Sequence, residues 1–409
     1  MTMMSDLPRE LEEEILSRVP LKSMRSVRST CKRWDTLSKN HTKEGESYVI
    51  VKVNYDVYLM SVVINDVFPT IEPKGKLTCL DEQVKVKIFQ VLHCEGLLLC
   101  VLRSDSRLVV WNPYLGQTRF ITPRYYSDLA RGLQERYTYA LGYVNKNNKS
   151  CRSHKLLRFI DLGSAANRFA WYEMYDFDSD LWMTLDVTPH WRISHLNSFG
   201  VSLKGTTYWR VREQNSYHLV CFDFTRERFG PLLHIPPFNA SDVDTVNISC
   251  VREEKLGVLL EHEGSNEIEI WITTKIEAGK LSWRKFLTVD KRSVVDYTIS
   301  FYKRSFLIDE EKKLAVVFDD NGFGRKRIII FGEAGDVREV DLEVGTGCWS
   351  QICYYVPSLV QCIKKPPGGK RKRQSDLETR RYDEKMSKLV ALEKANQEAR
   401  RDEDNYYYV

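Results

Sequence analysis

The sequence predicts a mainly β protein with three parts: a small N-terminal helical module, a large propeller-like β-domain, and a charged C-terminal tail that is helical or disordered. Three observations carry this. Residues 5–40 place apolar side chains at helical spacing. From about Tyr48 to Val360 that periodicity gives way to short apolar runs separated by turn residues. Within that stretch one local shape recurs: an apolar strand, an aromatic beside Asn or Asp, a polar turn, then another aromatic. The divisions fall at 1–45, 46–362 and 363–409.

A chain of 409 residues, 43% hydrophobic and 29% charged, can bury large cores and holds about two or three domains of ~100–200 residues. The net charge of +5 is concentrated at the C-terminus. From Lys364 onward there are 13 Lys and Arg against 9 Asp and Glu, and elsewhere 48 against 47. A near-neutral body gives no electrostatic ground for nucleic-acid binding, and none is expected. The ten cysteines form no C-x-x-C pair, and Cys348 with Cys353 lacks a second pair, so no metal site is expected. No cofactor motif is found. The first residues have neither a basic n-region nor an apolar h-region, and no apolar run approaches the ~20 residues that span a bilayer. No membrane partner is expected, and a reducing nuclear or cytoplasmic compartment with free thiols is.

In the first forty residues, Ser5 and Asp6 offer capping oxygens and Pro8 suits a first helical turn. Leu7, Leu11, Ile15, Leu16 and Val19 share helical spacing, and Pro20 ends the helix. Met24, Val27, Cys31, Trp34 and Leu37 mark a second one. A segment this short cannot bury all these side chains alone. It packs on a partner or on the chain's own β-domain, and periodicity does not choose between them. The succession Leu7-Pro8, Leu11, Ile15-Leu16, Pro20-Leu21-Lys22-Ser23, Val27-Arg28, Cys31-Lys32 and Trp34 closely resembles the F-box. Its mild departure is Met24, where leucine is common. The resemblance implies a helical surface that docks a Skp-type adaptor and through it a cullin. The residues it points to are Leu7, Pro8, Leu11, Ile15, Leu16, Pro20, Leu21, Val27, Arg28, Cys31 and Trp34.

In the β-rich body the corner aromatics fall at Trp111, Tyr175, Phe222, Trp271 and Phe331, spaced 64, 47, 49 and 60 residues apart. A second shape, a polar turn followed by four or five apolar residues, precedes most of them, as in Cys94-Glu-Gly-Leu-Leu-Leu-Cys100 and Leu203-Lys-Gly-Thr-Thr-Tyr-Trp209. A multi-strand unit repeating every ~40–50 residues is the signature of propeller blades. The strands at Tyr48–Val63 and the segment Cys348–Val360 are placed to complete one closing blade. A pair of β-sandwiches is the competing architecture. Trp111-Asn-Pro-Tyr-Leu-Gly-Gln-Thr-Arg119, Tyr175-Asp-Phe-Asp-Ser-Asp180, Cys221-Phe-Asp-Phe-Thr-Arg-Glu-Arg-Phe-Gly-Pro231 and Tyr355-Val-Pro-Ser-Leu-Val360 resemble the plant F-box-associated interaction domain of the F-box/kelch-repeat type. Kelch repeats carry Gly-Gly in each blade, and the only such pair here is Gly368-Gly369 in the tail, so the blades are kelch-like. The resemblance implies capture of a substrate protein. Loops Pro123–Arg136 and Pro236–Asp244 are candidate contacts, since rigid sheets present function on loops; idle connectors look the same.

Catalytic motifs are missing. Gly200-Val-Ser-Leu-Lys-Gly205 has the wrong spacing for a nucleophile elbow. His262 between Glu261 and Glu263 reads as a charged strand end, and Asp178 and Asp180 as turn residues, although both groups also fit acid/base or cation chemistry. In the tail, Lys370–Arg373 is a basic run of the kind that directs nuclear import or contacts polyanions, or simply a solvated linker. Asp376–Arg401 carries Met386, Leu389, Val390 and Leu392, too sparse for a coiled-coil stripe, so a frayed, exposed helix or disorder is expected. The resemblances together imply a non-catalytic substrate receptor of a Skp–cullin–F-box ubiquitin ligase. A propeller lectin or enzyme with a helical cap, and an F-box protein acting outside a ligase, are the alternatives.

Overall fold

The computed structural model describes residues 11, 15, 46–64, 69–77, 87–103, 107–124, 136–145, 152–163, 167–187, 189–193, 199–213, 216–236, 243–262, 264–277, 279–294, 305–320, 326–341, 349–362 and 375–407. Six antiparallel sheets form the six blades of a propeller. Blade I consists of β1 (Glu46–Val53), β2 (Asp56–Ile64) and β3 (Pro69–Leu77), joined by the last strand of the chain. Blade II is β4 (Ile88–Cys94), β5 (Leu97–Leu102), β6 (Leu108–Asn112) and β7 (Gln117–Ile121). Blade III is β8 (Thr138–Asn145), β9 (Arg152–Leu162), β10 (Phe169–Asp176) and β11 (Leu181–Leu185). Blade IV is β12 (Val201–Leu203), β13 (Thr206–Glu213) and β14 (Ser216–Asp223), with a broken outer strand, β15 (Arg228–Phe229) and β16 (Leu233–His234). Blade V is β17 (Val243–Val251), β18 (Lys255–His262), β19 (Glu267–Glu277) and β20 (Lys280–Asp290). Blade VI is β21 (Ser305–Asp309), β22 (Leu314–Asp320), β23 (Lys326–Phe331) and β24 (Val337–Asp341). β25 (Trp349–Tyr355) then pairs with β1, from Tyr48 opposite Tyr355 to Val53 opposite Trp349. The closing blade is therefore the one expected, and the two-sandwich alternative fails.

A blade packs on both of its faces, which is why the strands read as continuous apolar runs rather than as alternation. All six residues of β5 are buried. Successive side chains serve opposite neighbours: Val49, Val51 and Val53 enter the core with blade VI, while Ile50 enters the core with blade II. Six apolar clusters result, one between each successive pair of blades.

The five corner aromatics all lie on the third strand of their blades. In blades II to IV the following Asn or Asp folds the next turn. Asn112, Asp176 and Asp223 each accept a backbone N–H two or three residues on through Oδ1. Four residues later Gly116, Asp180 and Glu227 all have positive φ, near 60°. First-to-second hairpins are tight as well. Glu95-Gly96 and Lys204-Gly205 have positive φ at both residues, the two-residue turn that matches strand twist. A Cβ on Gly96 would lie 2.4 Å from Ser358 Oγ, so no larger residue fits there.

Strand direction sorts the loops onto two faces. First-to-second and third-to-fourth turns share one, the hairpin face. Blade-to-blade linkers and second-to-third loops share the other, the linker face. β1 starts and β25 ends at the hairpin face, so residues 1–45 join the propeller there. Segment 356–362 then runs across blade II on that face, where Asn112 Nδ2 donates to the carbonyls of Ser358 and Val360 at 2.9 and 2.8 Å. Loops 123–136 and 236–244 are blade-to-blade linkers, hence on the linker face; their interiors lie outside the described residues.

The tail departs from expectation. Asp376–Tyr407 is one continuous helix, α1, and it is docked. Leu389 is 2% exposed among Ile160, Leu162, Phe169 and Trp171 of blade III, with Tyr382, Met386 and Leu392 packed beside it. Four apolar side chains suffice because they lie ten residues apart or less on one stripe and need to cover only one blade end.

Candidate functional site

Of the residues expected from the F-box resemblance to dock an adaptor, Leu11 and Ile15 are described. Both are α-helical, Leu11 being exposed and Ile15 half-buried. Leu7, Pro8, Leu16, Pro20, Leu21, Val27, Arg28, Cys31 and Trp34 lie outside the described residues, and so does the basic run Lys370–Arg373.

On the linker face, α1 crosses blade III from rim to axis. Glu378 sits at the outer strand: its Oε1 accepts from the Thr184 N–H at 2.6 Å, capping an open donor of β11, and from Arg124 Nη1 at 2.7 Å. Tyr382 lies against the Trp171 ring, centroids 5.3 Å apart, with the Arg124 guanidinium 4.8 Å from its own ring. Lys385 donates to the carbonyl of Ala170 at 3.1 Å. Arg136, just before the innermost strand, donates to Glu393 at 2.5 Å.

A chain of charges continues from the helix into the blade. Arg124 stands 3.2 Å from Glu173 Oε1. Arg158 Nε donates to Glu173 Oε2 at 2.7 Å. Arg158 and Glu173 oppose each other on β9 and β10, and both are buried. The guanidinium also lies 4.6 Å from the Trp182 ring and 5.0 Å from that of Tyr137. Burial works to lower the pKa of Arg158, but the charge and hydrogen bond of Glu173, together with Tyr137 and Tyr139, outweigh it and the value is raised. Sequence reading missed Arg124, Arg158, Glu173, Tyr382 and Glu393. The usable signal was Tyr382, which with Met386, Leu389 and Leu392 completes a stripe at helical spacing.

The central channel holds a cavity of about 110 Å³ lined by His93, Ser202, Arg210, Asn247, Ser249, Glu253 and Gln351 among others. Its groups are turned to the scaffold. Ser202 Oγ donates to the Leu141 carbonyl and Ser249 Oγ to that of Phe306. His93 Nε2 accepts the Gly96 N–H at 2.8 Å. It therefore carries no proton toward Glu253 Oε1, 3.6 Å away, and that contact is no ion pair. Burial accordingly lowers His93 to about 3. Burial, with the charge of Glu95, raises Glu253 to about 7. Burial pushes the Cys250 and Cys353 thiols to about 12, which keeps them protonated and inert. Asp178 and Asp180 belong to the turn: Asp178 accepts from Ser153 Oγ at 2.6 Å, and Asp180 from the Tyr175 hydroxyl and Arg119. His262 is the last residue of β18. Among the described residues no helix is long and apolar enough to cross a membrane.

The N-terminal extension of the six-bladed propeller thus leaves from the tight-turn face, and the blade-to-blade linkers occupy the other. The chain matches the F-box associated beta propeller domain over residues 48–362 and the F-box domain over residues 4–43, and it belongs to the F-box proteins that carry this propeller. An F-box/kelch-repeat protein of Arabidopsis thaliana is 52% identical, covering 93% of this chain and 95% of its own. Another F-box/kelch-repeat protein of the same plant is 50% identical, over 96% and 98%, and an F-box protein is 48% identical, over 96% and 98%. Among solved structures, TolB from Acinetobacter baumannii aligns over 81% of this chain and 72% of its own with a TM-score of 0.43 and 11% identity, a likeness too low to argue from.

Proposed function

We propose that this chain is the substrate-recognition subunit of a Skp–cullin–F-box ubiquitin ligase and has no catalytic role of its own. The observation that carries the reading is the joining of an F-box match at 4–43 to a propeller match at 48–362. The topology supports it, because the F-box leaves from the hairpin face and the long linkers face the opposite way. The F-box residues from Leu7 to Trp34 dock the adaptor, the cullin follows through the adaptor, and a target protein is held on the linker face. Catalysis is then proximity supplied by scaffolding. The chain works in the nucleus, the cytoplasm or both, with Lys370–Arg373 as the import signal.

The test is binding of the purified full chain to a Skp-type adaptor, beside a Leu11→Asp, Ile15→Asp double variant. Binding that the variant loses is expected. A well-folded wild type that does not bind would make residues 1–45 an internal cap and end the receptor reading.

A further inference from the structure

We propose that the linker-face end of blade III is a docking groove for an amphipathic helix with acidic ends, carried by the captured protein, and that α1 fills it as the chain's own exchangeable stand-in. This deepens the receptor reading and rests on it for the identity of the partner as a substrate.

The groove is a built one. Its floor is apolar, from Ile160, Leu162, Phe169 and Trp171. Its two ends are cationic: Arg124 holds Glu378 and Arg136 holds Glu393. Fifteen residues of helix separate those carboxylates, ~22 Å at 1.5 Å per residue, which carries the helix across all four strands of the blade. Any helix with carboxylates at that separation and aliphatic or aromatic side chains between them meets the same complement of charge and apolar surface.

The present occupant fits imperfectly. Leu389 is the one fully buried apolar residue among the described residues of α1. Trp171 Nε1 and the Tyr382 hydroxyl are both buried beneath the helix, and neither has a hydrogen-bond partner among the described residues. Buried donors left this way are costly, so a helix that offers an acceptor there binds better. The sheet framework of the propeller closes without α1. The ring closes at Tyr355, and α1 adds no strand to any sheet. Attachment adds to these contacts: the twelve residues 363–374 tether α1 at an effective concentration on the order of millimolar. A partner helix therefore competes with a local occupant that is close by but poorly complementary.

The experiment uses a fluorescein-labelled peptide of residues 375–395, titrated into the full chain and into full-chain Leu389→Asp. That variant undocks its own helix and leaves the groove unaltered. The Leu389→Asp chain is expected to bind the peptide at least tenfold more tightly than wild type. Adding Arg136→Glu to it should weaken binding at least tenfold, and a peptide carrying Glu393→Arg should restore it. A helix keeping Glu378, Tyr382, Met386, Leu389, Leu392 and Glu393 on an alanine–lysine background should compete as well as the native sequence. Equal affinity for both chains overturns the proposal. So does absence of binding by a Leu389→Asp chain that keeps its propeller unfolding transition, or failure of the swapped charge to rescue. Competition by the native sequence alone would refute the partner class. Loss of adaptor binding, by contrast, removes the receptor reading and leaves the groove standing.

Discussion

Replacing Glu173 by glutamine leaves a guanidinium buried with no carboxylate beside it. Arg158 is 5% exposed and Glu173 1%. Their bond lies between the two middle strands of the blade, with the Tyr137 and Trp182 rings beside the guanidinium. Arg124 loses one of its two carboxylates at the same time and keeps only Glu378. Breaking a buried pair from one side costs about 3–5 kcal/mol, because the remaining charge stays desolvated. Replacing both partners by apolar residues of similar volume removes that penalty. Arg158→Met with Glu173→Leu is therefore expected to lie within about 2 kcal/mol of wild type. The assay is urea unfolding followed by tryptophan fluorescence, run on wild type, both single variants and the double variant as a cycle. A Glu173→Gln cost below about 1 kcal/mol, or a double variant worse than the sum of the singles, would refute the reasoning: water would then be reaching Arg158.

Leu389→Ala removes the one fully buried side chain among the described residues of α1. Docking weakens by about 2 kcal/mol, roughly thirtyfold, so trypsin releases α1 faster while the propeller's unfolding midpoint stays put. Gly96→Ala and Gly264→Ala both place a Cβ at φ near +70°, but only the first meets Ser358 at 2.4 Å while the second meets open space. Gly96→Ala is thus expected to cost about 1–3 kcal/mol more than Gly264→Ala in the same urea assay. Glu253 holds a proton up to about pH 7 in the native chain and only to about 4.5 when unfolded. Stability from this group therefore falls as pH rises through that window. Glu253→Gln should gain about 1–2 kcal/mol on wild type at pH 8, discounted for its partly solvated carboxylate, and nothing at pH 4. An equal difference at both pH values would show that Glu253 does not titrate there.

What was legible in the sequence was what each residue decides locally. Trp111-Asn112, Tyr175-Asp176 and Phe222-Asp223 announce their turns because a short side-chain acceptor folds the next residues wherever the strand lies. The blades of buried β5 and β23 announce themselves as apolar runs. The closing blade was legible from its two ends, but its register, Val53 opposite Trp349, was not, because no local pattern encodes pairing with a partner about 300 positions away. Glu173 was hidden for a similar reason: one carboxylate in Trp171-Tyr-Glu-Met-Tyr175 acquires meaning only when Arg158 is placed across the ladder. The tail was misjudged as exposed because its stripe was measured against a coiled-coil partner. A blade end needs fewer apolar side chains than another helix does.

The ring is completed by its last strand, and this orders events during synthesis. β1 leaves the ribosome first of all the strands, yet the inner-edge partner of Val53 is Trp349. At 5–20 residues per second, the ~300 residues between them take about 15–60 s to appear. Throughout that interval β1 presents an unpaired edge, with Val49, Ile50 and Val51 beside it, to any other chain nearby. Blades II to VI can fold from neighbouring hairpins as they emerge. Blade I waits: β2 and β3 extend it on the far side of β1, so the channel-side edge stays open until β25 arrives.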